Sequence, residues 1–285
     1  MVGHIRATGE NEIDLTAICQ YLAARAPLED LPLDWEASVY TSDEFGRNVG
    51  KLNCPLWSGE RPTEEEVTVI AHLLDVRKGS RVLDVACGCG RHCQVLSRDY
   101  GARVTGVDIS GRAIAQAKLS AEEAGLTIDY RAEDARHMSF DDEFDGALIA
   151  FNSFSLFSPD DAPGVLENIH RALRPAGRLF VDLDNKPFNC RYGVADASWE
   201  AVPGGLKLQE VHFHADVSVE VCRDIYFIVN SRPAEAVMFK RLYARDEISR
   251  VLLQCGYLAE QAYGGWDLSP LGKNSPKIIL LAIKR

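Results

Sequence analysis

The stretch Asp84-Val85-Ala86-Cys87-Gly88-Cys89-Gly90 concentrates the residues best able to do chemistry. An apolar run from Arg81 to Ala86 contains an acid near its end and leads into a turn with glycines two apart. A strand, a glycine-rich turn and a helix opening, in that order, bring backbone N–H groups close to a ligand. Two kinds of ligand compete for such a loop. A dinucleotide pyrophosphate is held by G-x-G-x-x-G, but here Gly88 and Gly90 are followed by Cys93 where the third glycine would stand.

Asp84 separates the two. A carboxylate at the end of the strand would repel a pyrophosphate, whereas it attracts a ligand end that carries an ammonium and a sulfonium, as S-adenosylmethionine does. Across a few ångströms in a half-buried cleft that attraction is on the order of a few kcal/mol before desolvation. Asp108 closes the next apolar run, where an acid can accept both ribose hydroxyls. It could equally cap the following helix, although Ser110 is available for that. Asp134, within Ala132-Glu133-Asp134-Ala135, follows the third run, where a carboxylate could accept an adenine amino group or stand solvated in a loop.

These acids need a scaffold. Thr63 and Glu66, entered through Pro62, predict a capping box and a helix with Val67, Ile70, His72/Leu73 and Leu74 on its apolar face. Strands are predicted at 81–86, 103–108, 127–131, 144–150 and 178–184. Helices lie between them: one runs to about Tyr100, one is capped by Ser110 with the stripe Ile114, Ala117, Ala121 and Ala124, and one opens at Ser158-Pro159-Asp160-Asp161. This alternation predicts an α/β fold, a doubly wound, seven-stranded, mostly parallel sheet. From Pro187 to Tyr243 the period changes to two, which predicts an antiparallel β insertion after the fifth strand. A helix with Ile248, Val251, Leu252 and Cys255 and strands near 257–264 and 277–284 complete the parallel pattern. The expected domains are an N-terminal helical cap or lid at 1–62, a cofactor-binding domain at 63–187 and 244–285, and the insertion at 188–243.

The chain has 285 residues, 46% hydrophobic and 26% charged, with a formal net charge of −11. No block of Lys and Arg offers the basic surface that nucleic acid requires, so neither DNA nor RNA is expected as a partner. No apolar run approaches the roughly 20 residues that span a bilayer, and no secretory pattern opens the chain, so a cytoplasmic location without membrane association is expected. Eight cysteines are present. Cys87, Cys89 and Cys93 lack a second ligand pair at zinc spacing, so no metal and reduced thiols are expected.

These residues resemble the class I, Rossmann-like S-adenosylmethionine-dependent methyltransferases. VLDVACGCGRH is similar to that family's first motif, GVDIS to its second-strand motif, AEDARHMSF to its adenine-side motif and LRPAGRLFVDL to the turn into its fifth strand. Ala86 and Ala176 stand where glycine is usual. The likeness runs from about Trp57 to Arg285 and is greatest to a small-molecule subgroup. It implies S-adenosylmethionine as cofactor and S-adenosylhomocysteine as product, held by Asp84, Ala86, Cys87, Gly88, Gly90, Asp108, Ile109, Glu133, Asp134, Ala135 and Phe151. Arg61 and Trp57, ahead of the first strand, are the candidates for the cofactor's carboxylate.

The implied reaction is an in-line SN2 transfer to a nitrogen or oxygen of a small metabolite, in which the protein positions and desolvates. Transfer to carbon, a nicotinamide-dependent oxidoreductase and a non-catalytic cofactor-binding protein are the alternatives. A general base is optional. His212 and His214, two apart on a predicted strand and so on one face, are the candidates, unless they are polar residues of a solvated face. Asn152, Phe154, Tyr192, Arg241 and Tyr243 are candidate acceptor contacts. His92 is expected to pack beside the loop. Asp184-Asn185 matches part of a catechol-type metal pattern, but Phe151-Asn152 supplies no acid to complete it.

Overall fold

The sheet is built by alternation. In β1 (Arg81–Val85) Leu83 and Val85 belong to one core and Val82 to another. Successive side chains of a strand point to opposite faces, so a strand buried on both sides feeds two cores. β2 (Arg103–Asp108) and β4 (Phe144–Ile149) repeat the division, with Val107 and Ile149 on the first face and Val104 and Leu148 on the second. A computed structural model of the chain describes residues 15–35, 62–193, 197–202 and 204–285. Within it the chain divides into two compact units, Leu56–Gly193 with Arg241–Arg285, and Met1–Pro55 with Val194–Lys240.

The larger unit carries seven strands in the order β10-β11-β5-β4-β1-β2-β3, with β3 at Asp129–Ala132, β5 at Leu173–Asp184, β10 at Tyr257–Tyr263 and β11 at Lys277–Lys284. β1 lies parallel to β2 and β4, β2 to β3 and β4 to β5, while β11 runs antiparallel to both β5 and β10. The winding goes outward from β1 through β2 to β3 and then returns to β4 on the other side. That reversal is the switch point above which ligands of doubly wound sheets bind, at the carboxyl ends of β1 and β4. Helices α2 (Thr63–Leu74), α3 (Arg91–Tyr100) and α4 (Gly111–Glu123) supply Ile70, Leu96 and Ile114 to one face. α5 (Ala162–Ala172) and α7 (Arg245–Gln254) supply Ile169 and Leu252 to the other.

Several local expectations are corrected. The Thr63–Glu66 capping box does not form: Pro62 occupies the cap position without a side-chain bond, and Glu66 turns inward to Arg91 and His92. α5 begins at Ala162, because the Ser158 hydroxyl accepts from the Asp161 N–H at 3.0 Å and caps a turn ahead of the helix. Ala124 is the exposed C-cap of α4 and lies off its buried stripe. Lys186–Tyr192, read largely as the start of the β insertion, is a helix, α6, opened by Pro187.

In the other unit, β6 (Ala197–Val202), β7 (Gly205–His214), β8 (Val219–Ile228) and β9 (Ala234–Arg241) form a four-stranded sheet in that order, antiparallel at β6/β7 and β7/β8. α1 (Leu15–Ala23), from the weakly amphipathic stretch 12–25, sets Ile18 against Leu208, Ile225 and Phe227. A short turn of helix, Leu28–Asp30, sets Leu28 against Val219, Val221 and Phe239. The remainder of the expected cap, 1–14 and 36–61, lies outside the described residues.

Candidate functional site

Asp84, near the end of β1, is 1% exposed, and its donor is the Cys93 thiol, with Sγ 3.1 Å from Oδ2. Burial pushes its carboxyl above the ordinary range, against the nearby His92 and Arg91 and the thiol bond, which pull it down. The loop after it turns through three left-handed residues, Ala86 (φ 58), Gly88 (φ 54) and Gly90 (φ 76). Ala86 therefore takes a conformation that glycine adopts more easily. At Gly90 a Cβ would fall 2.2 Å from the Tyr130 hydroxyl, so the residue is fixed by space as well as by φ.

The next acid anchors this loop. Asp108 Oδ2 accepts from the Gly88 N–H and Oδ1 from the Ser110 N–H, both at 2.8 Å. Burial raises the Asp108 carboxyl, and those two backbone bonds oppose the rise. Each carboxylate oxygen keeps a second lone pair, so the group can still accept two hydroxyls. Ser110 caps α4 by accepting from Ala113 at 3.2 Å, which leaves Asp108 free of the capping role. The Glu133 N–H donates to the Asp108 carbonyl at 3.0 Å, so the ends of β2 and β3 are joined. Asp134 accepts from the Arg136 N–H at 2.9 Å and from the Arg136 guanidinium. Burial alone would raise its carboxyl, but those bonds hold it below the usual range. Ala135 is buried behind it, and Ile109 is 42% exposed at the end of β2.

At the end of β4, Phe151 (φ 58) and Asn152 (φ 61) form a left-handed pair, and Phe151 is 39% exposed. Asn152 locks β4 to β5: its Nδ2 donates to Asp184 Oδ2, and its Oδ1 accepts from the Asp184 N–H, each at 2.9 Å. Lys277 Nζ meets Asp184 at 2.8 Å and the buried Asp182 at 3.6 Å.

Three residues that the sequence reading left without a binding role join this layer. Glu66 in α2 is 3% exposed and meets His92 Nε2 at 2.9 Å and Arg91 Nη1. Arg91 Nη1 also donates to Thr63 Oγ1 at 3.1 Å, and its guanidinium carbon lies 5.1 Å from the centre of the Phe151 ring. The available signal was the position of Arg91 directly after the last glycine. Glu66 was hidden by its resemblance to a capping residue.

The acceptor candidates differ in burial and in the unit that carries them. Phe154 and Tyr243 are core residues, 0% and 4% exposed, with rings 5.7 Å apart. Arg241 is held by Glu247 at 3.3 Å, and Tyr192 is exposed on α6. His212 and His214 share a face of β7 with ring centres 4.6 Å apart, in the unit of the four-stranded sheet. Trp57 and Arg61 lie outside the described residues. Among the described residues no cluster of three His, Cys, Asp or Glu side chains is arranged to hold a metal ion. Cys19, Cys87, Cys93, Cys190, Cys222 and Cys255 are free, whereas Cys89 is disulfide-bonded, contrary to the expectation of reduced thiols.

A buried acid at the switch point, a left-handed loop strapped to a second acid, and strands ordered 3-2-1-4-5 outward to an antiparallel last strand define a doubly wound, Rossmann-like fold. Residues 82–177 match the family model described as a methyltransferase domain. The chain is similar to a ubiquinone biosynthesis O-methyltransferase of Chelativorans sp., 37% identical over 109 residues, covering 38% of this chain and 42% of that one. It superposes on an S-adenosylmethionine-dependent methyltransferase of Clostridium acetobutylicum with a TM-score of 0.72 at 14% identity, covering 84% of this chain and 98% of that one. It also superposes on CalS10, an amino pentose methyltransferase of Micromonospora echinaspora solved with S-adenosylmethionine bound, with a TM-score of 0.61 at 16% identity, covering 81% and 94%. The chain spans about half the length of the curated relatives it matches.

Proposed function

We propose that this chain transfers a methyl group from S-adenosylmethionine to a nitrogen or oxygen of a small metabolite. The observation that carries the reading is Asp84, a buried carboxylate whose hydrogen-bond donor is a thiol, at the carboxyl end of the central strand. A buried anion so weakly compensated fits a cationic ligand end and opposes a pyrophosphate. The rest of the donor set agrees. Asp108 has lone pairs left for ribose hydroxyls, and Glu133, Asp134 and Ala135 follow β3 where the adenine would lie. Ile109 and Phe151 offer exposed apolar surface on either side. Gly88 and Gly90 let the backbone approach.

Bound here, the cofactor would supply a methyl on a sulfonium, already activated toward a nucleophile. The task left to the chain is to hold that methyl in line with the acceptor and to exclude water. Asn152, clamped to Asp184, fixes the end of β4 beside the loop. The relatives named for ubiquinone biosynthesis and amino pentose methylation support a hydroxyl or an amine of a small molecule as acceptor. The acceptor-side roles of Asn152, Tyr192, Arg241, His212 and His214 belong to the proposal.

The test is transfer of a labelled methyl group from S-adenosylmethionine to a panel of small phenols, sugars and amines, with S-adenosylhomocysteine assayed as co-product. Label in one acceptor class is the expected result. S-adenosylhomocysteine binding without transfer to any acceptor would support a non-catalytic protein, and binding of NAD(P) in its place would support an oxidoreductase.

A further inference from the structure

β6 is the outermost strand of the four-stranded sheet. Its inner edge is paired without a bulge, Ala197 through Val202 against Glu210 through Gly205. Among the described residues no strand pairs its outer edge. Ala197 to Ala201 are all exposed, so neither face of the strand is covered, and Trp199 is 51% exposed. The edge strand on the far side, β9, differs: Ala234, Ala236, Met238 and Phe239 are buried.

An open edge presents unpaired N–H and C=O groups, a template for another strand. Chains that must stay apart interrupt such an edge with lysine, proline or a bulge. Ala197-Ser198-Trp199-Glu200-Ala201-Val202 has none of the three. Trp199 instead adds apolar surface. Its ring lies 5.9 Å from that of Phe227, on the face where Ile18 packs against Leu208 and Phe227.

The strand is complementary to its own reverse. Antiparallel pairing of two copies about a two-fold axis normal to the sheet keeps each face on its own side, so one residue lies opposite its own copy. Centred on Glu200, the pairing would oppose two carboxylates directly, which is unfavourable. Lys207 lies 3.8 Å from Glu200, yet the Glu200 side chain is 64% exposed. Centred on Trp199, the pairing sets the two indoles side by side. Ser198 then stands opposite Glu200 of the partner subunit, a hydroxyl donor facing a carboxylate.

We propose that β6 is a dimerisation edge, through which two copies of this chain join their four-stranded sheets into one continuous sheet in antiparallel register about Trp199. The occupant is a second copy rather than a foreign strand, because the charge pattern of β6 matches itself in one register. With the residues of β9 buried, the pairing closes at two copies and builds no filament.

The experiment is sedimentation equilibrium of the full chain over a range of concentrations, for wild type, Trp199→Lys and Ser198→Lys. A melting curve of each variant shows whether the fold is intact. Wild type should be a dimer that dissociates at about micromolar concentration, as a small interface provides. Trp199→Lys removes the central aromatic pair and opposes two cations, and should weaken the dimer by about 30-fold or more. Ser198→Lys puts a cation opposite the Glu200 carboxylate twice in each dimer and should tighten it by about 3- to 10-fold. Being a gain, that result cannot come from loss of fold. A wild type that stays monomeric up to about 100 µM overturns the proposal. A dimer that Trp199→Lys leaves intact, or that Ser198→Lys fails to tighten, overturns it as well.

Discussion

The Cys93 thiol donates to the Asp84 carboxylate at 3.1 Å, and both side chains are buried. A thiol is a weak donor, so it returns little of what an anion loses on leaving water. In the free protein Asp84 is therefore a destabilised group.

Asp84→Asn should raise the melting temperature of the free protein by a few degrees at neutral pH. Because burial lifts the folded-state carboxyl above its ordinary value of 3.8, the penalty it carries is absent below that value. The penalty grows as pH rises from there toward the folded-state value and is constant above it. The gain in the variant should therefore vanish in melts at about pH 3. A variant that is less stable than wild type at neutral pH would show that Asp84 stabilises the fold.

Glu66→Gln should act in the opposite sense. Burial pushes the Glu66 carboxyl up, but the bonds to His92 and Arg91 outweigh it and hold the group below its usual 4.5. Its stabilisation is complete above 4.5 and is lost as pH falls through the lower folded-state value. The variant should lose about 1–3 kcal/mol in urea titrations at pH 7, and its stability should fall less steeply with acid. An unchanged acid limb would contradict this.

How much of this was legible follows from where the signals lie. The strands at 103–108 and 277–284 and the loop acids could be read because a strand buried on both faces must be apolar and its end must turn. Ser110 was readable as a cap for the same local reason. Glu66 was not, because the same residue serves a capping box or a buried ion pair, and only α3 packed against α2 decides between them. Phe154 and Tyr243 looked available and are core, since an aromatic just after a strand or just before a helix carries no mark of which way it faces. Ser158 capped a turn where a helix start was read, because its bond to Asp161 suits either.

Gly90→Ala should be destabilising by about 2–4 kcal/mol, combining a left-handed backbone with overpacking against Tyr130. The clash involves the ring as well as its hydroxyl, so Tyr130→Phe should not relieve it. Urea unfolding of the single and double variants measures both statements, and a Gly90→Ala chain as stable as wild type would contradict the loop geometry.

Asp108→Ala should lose S-adenosylhomocysteine affinity by about 100-fold or more, since the carboxylate both anchors Gly88 and would accept ribose hydroxyls. Asp108→Asn, which keeps one acceptor oxygen, should lose less. Wild-type affinity in both variants, read by calorimetry, would separate the carboxylate from ligand binding.

The most direct test of the central claim is titration of S-adenosylhomocysteine and of NAD into wild type and Asp84→Ala under the same conditions. Wild type should bind S-adenosylhomocysteine and give no heat with NAD, and the variant should bind S-adenosylhomocysteine about 100-fold more weakly, as loss of a buried charge pair entails. Equal affinity of wild type and variant for S-adenosylhomocysteine, or preference of wild type for NAD, would contradict the account.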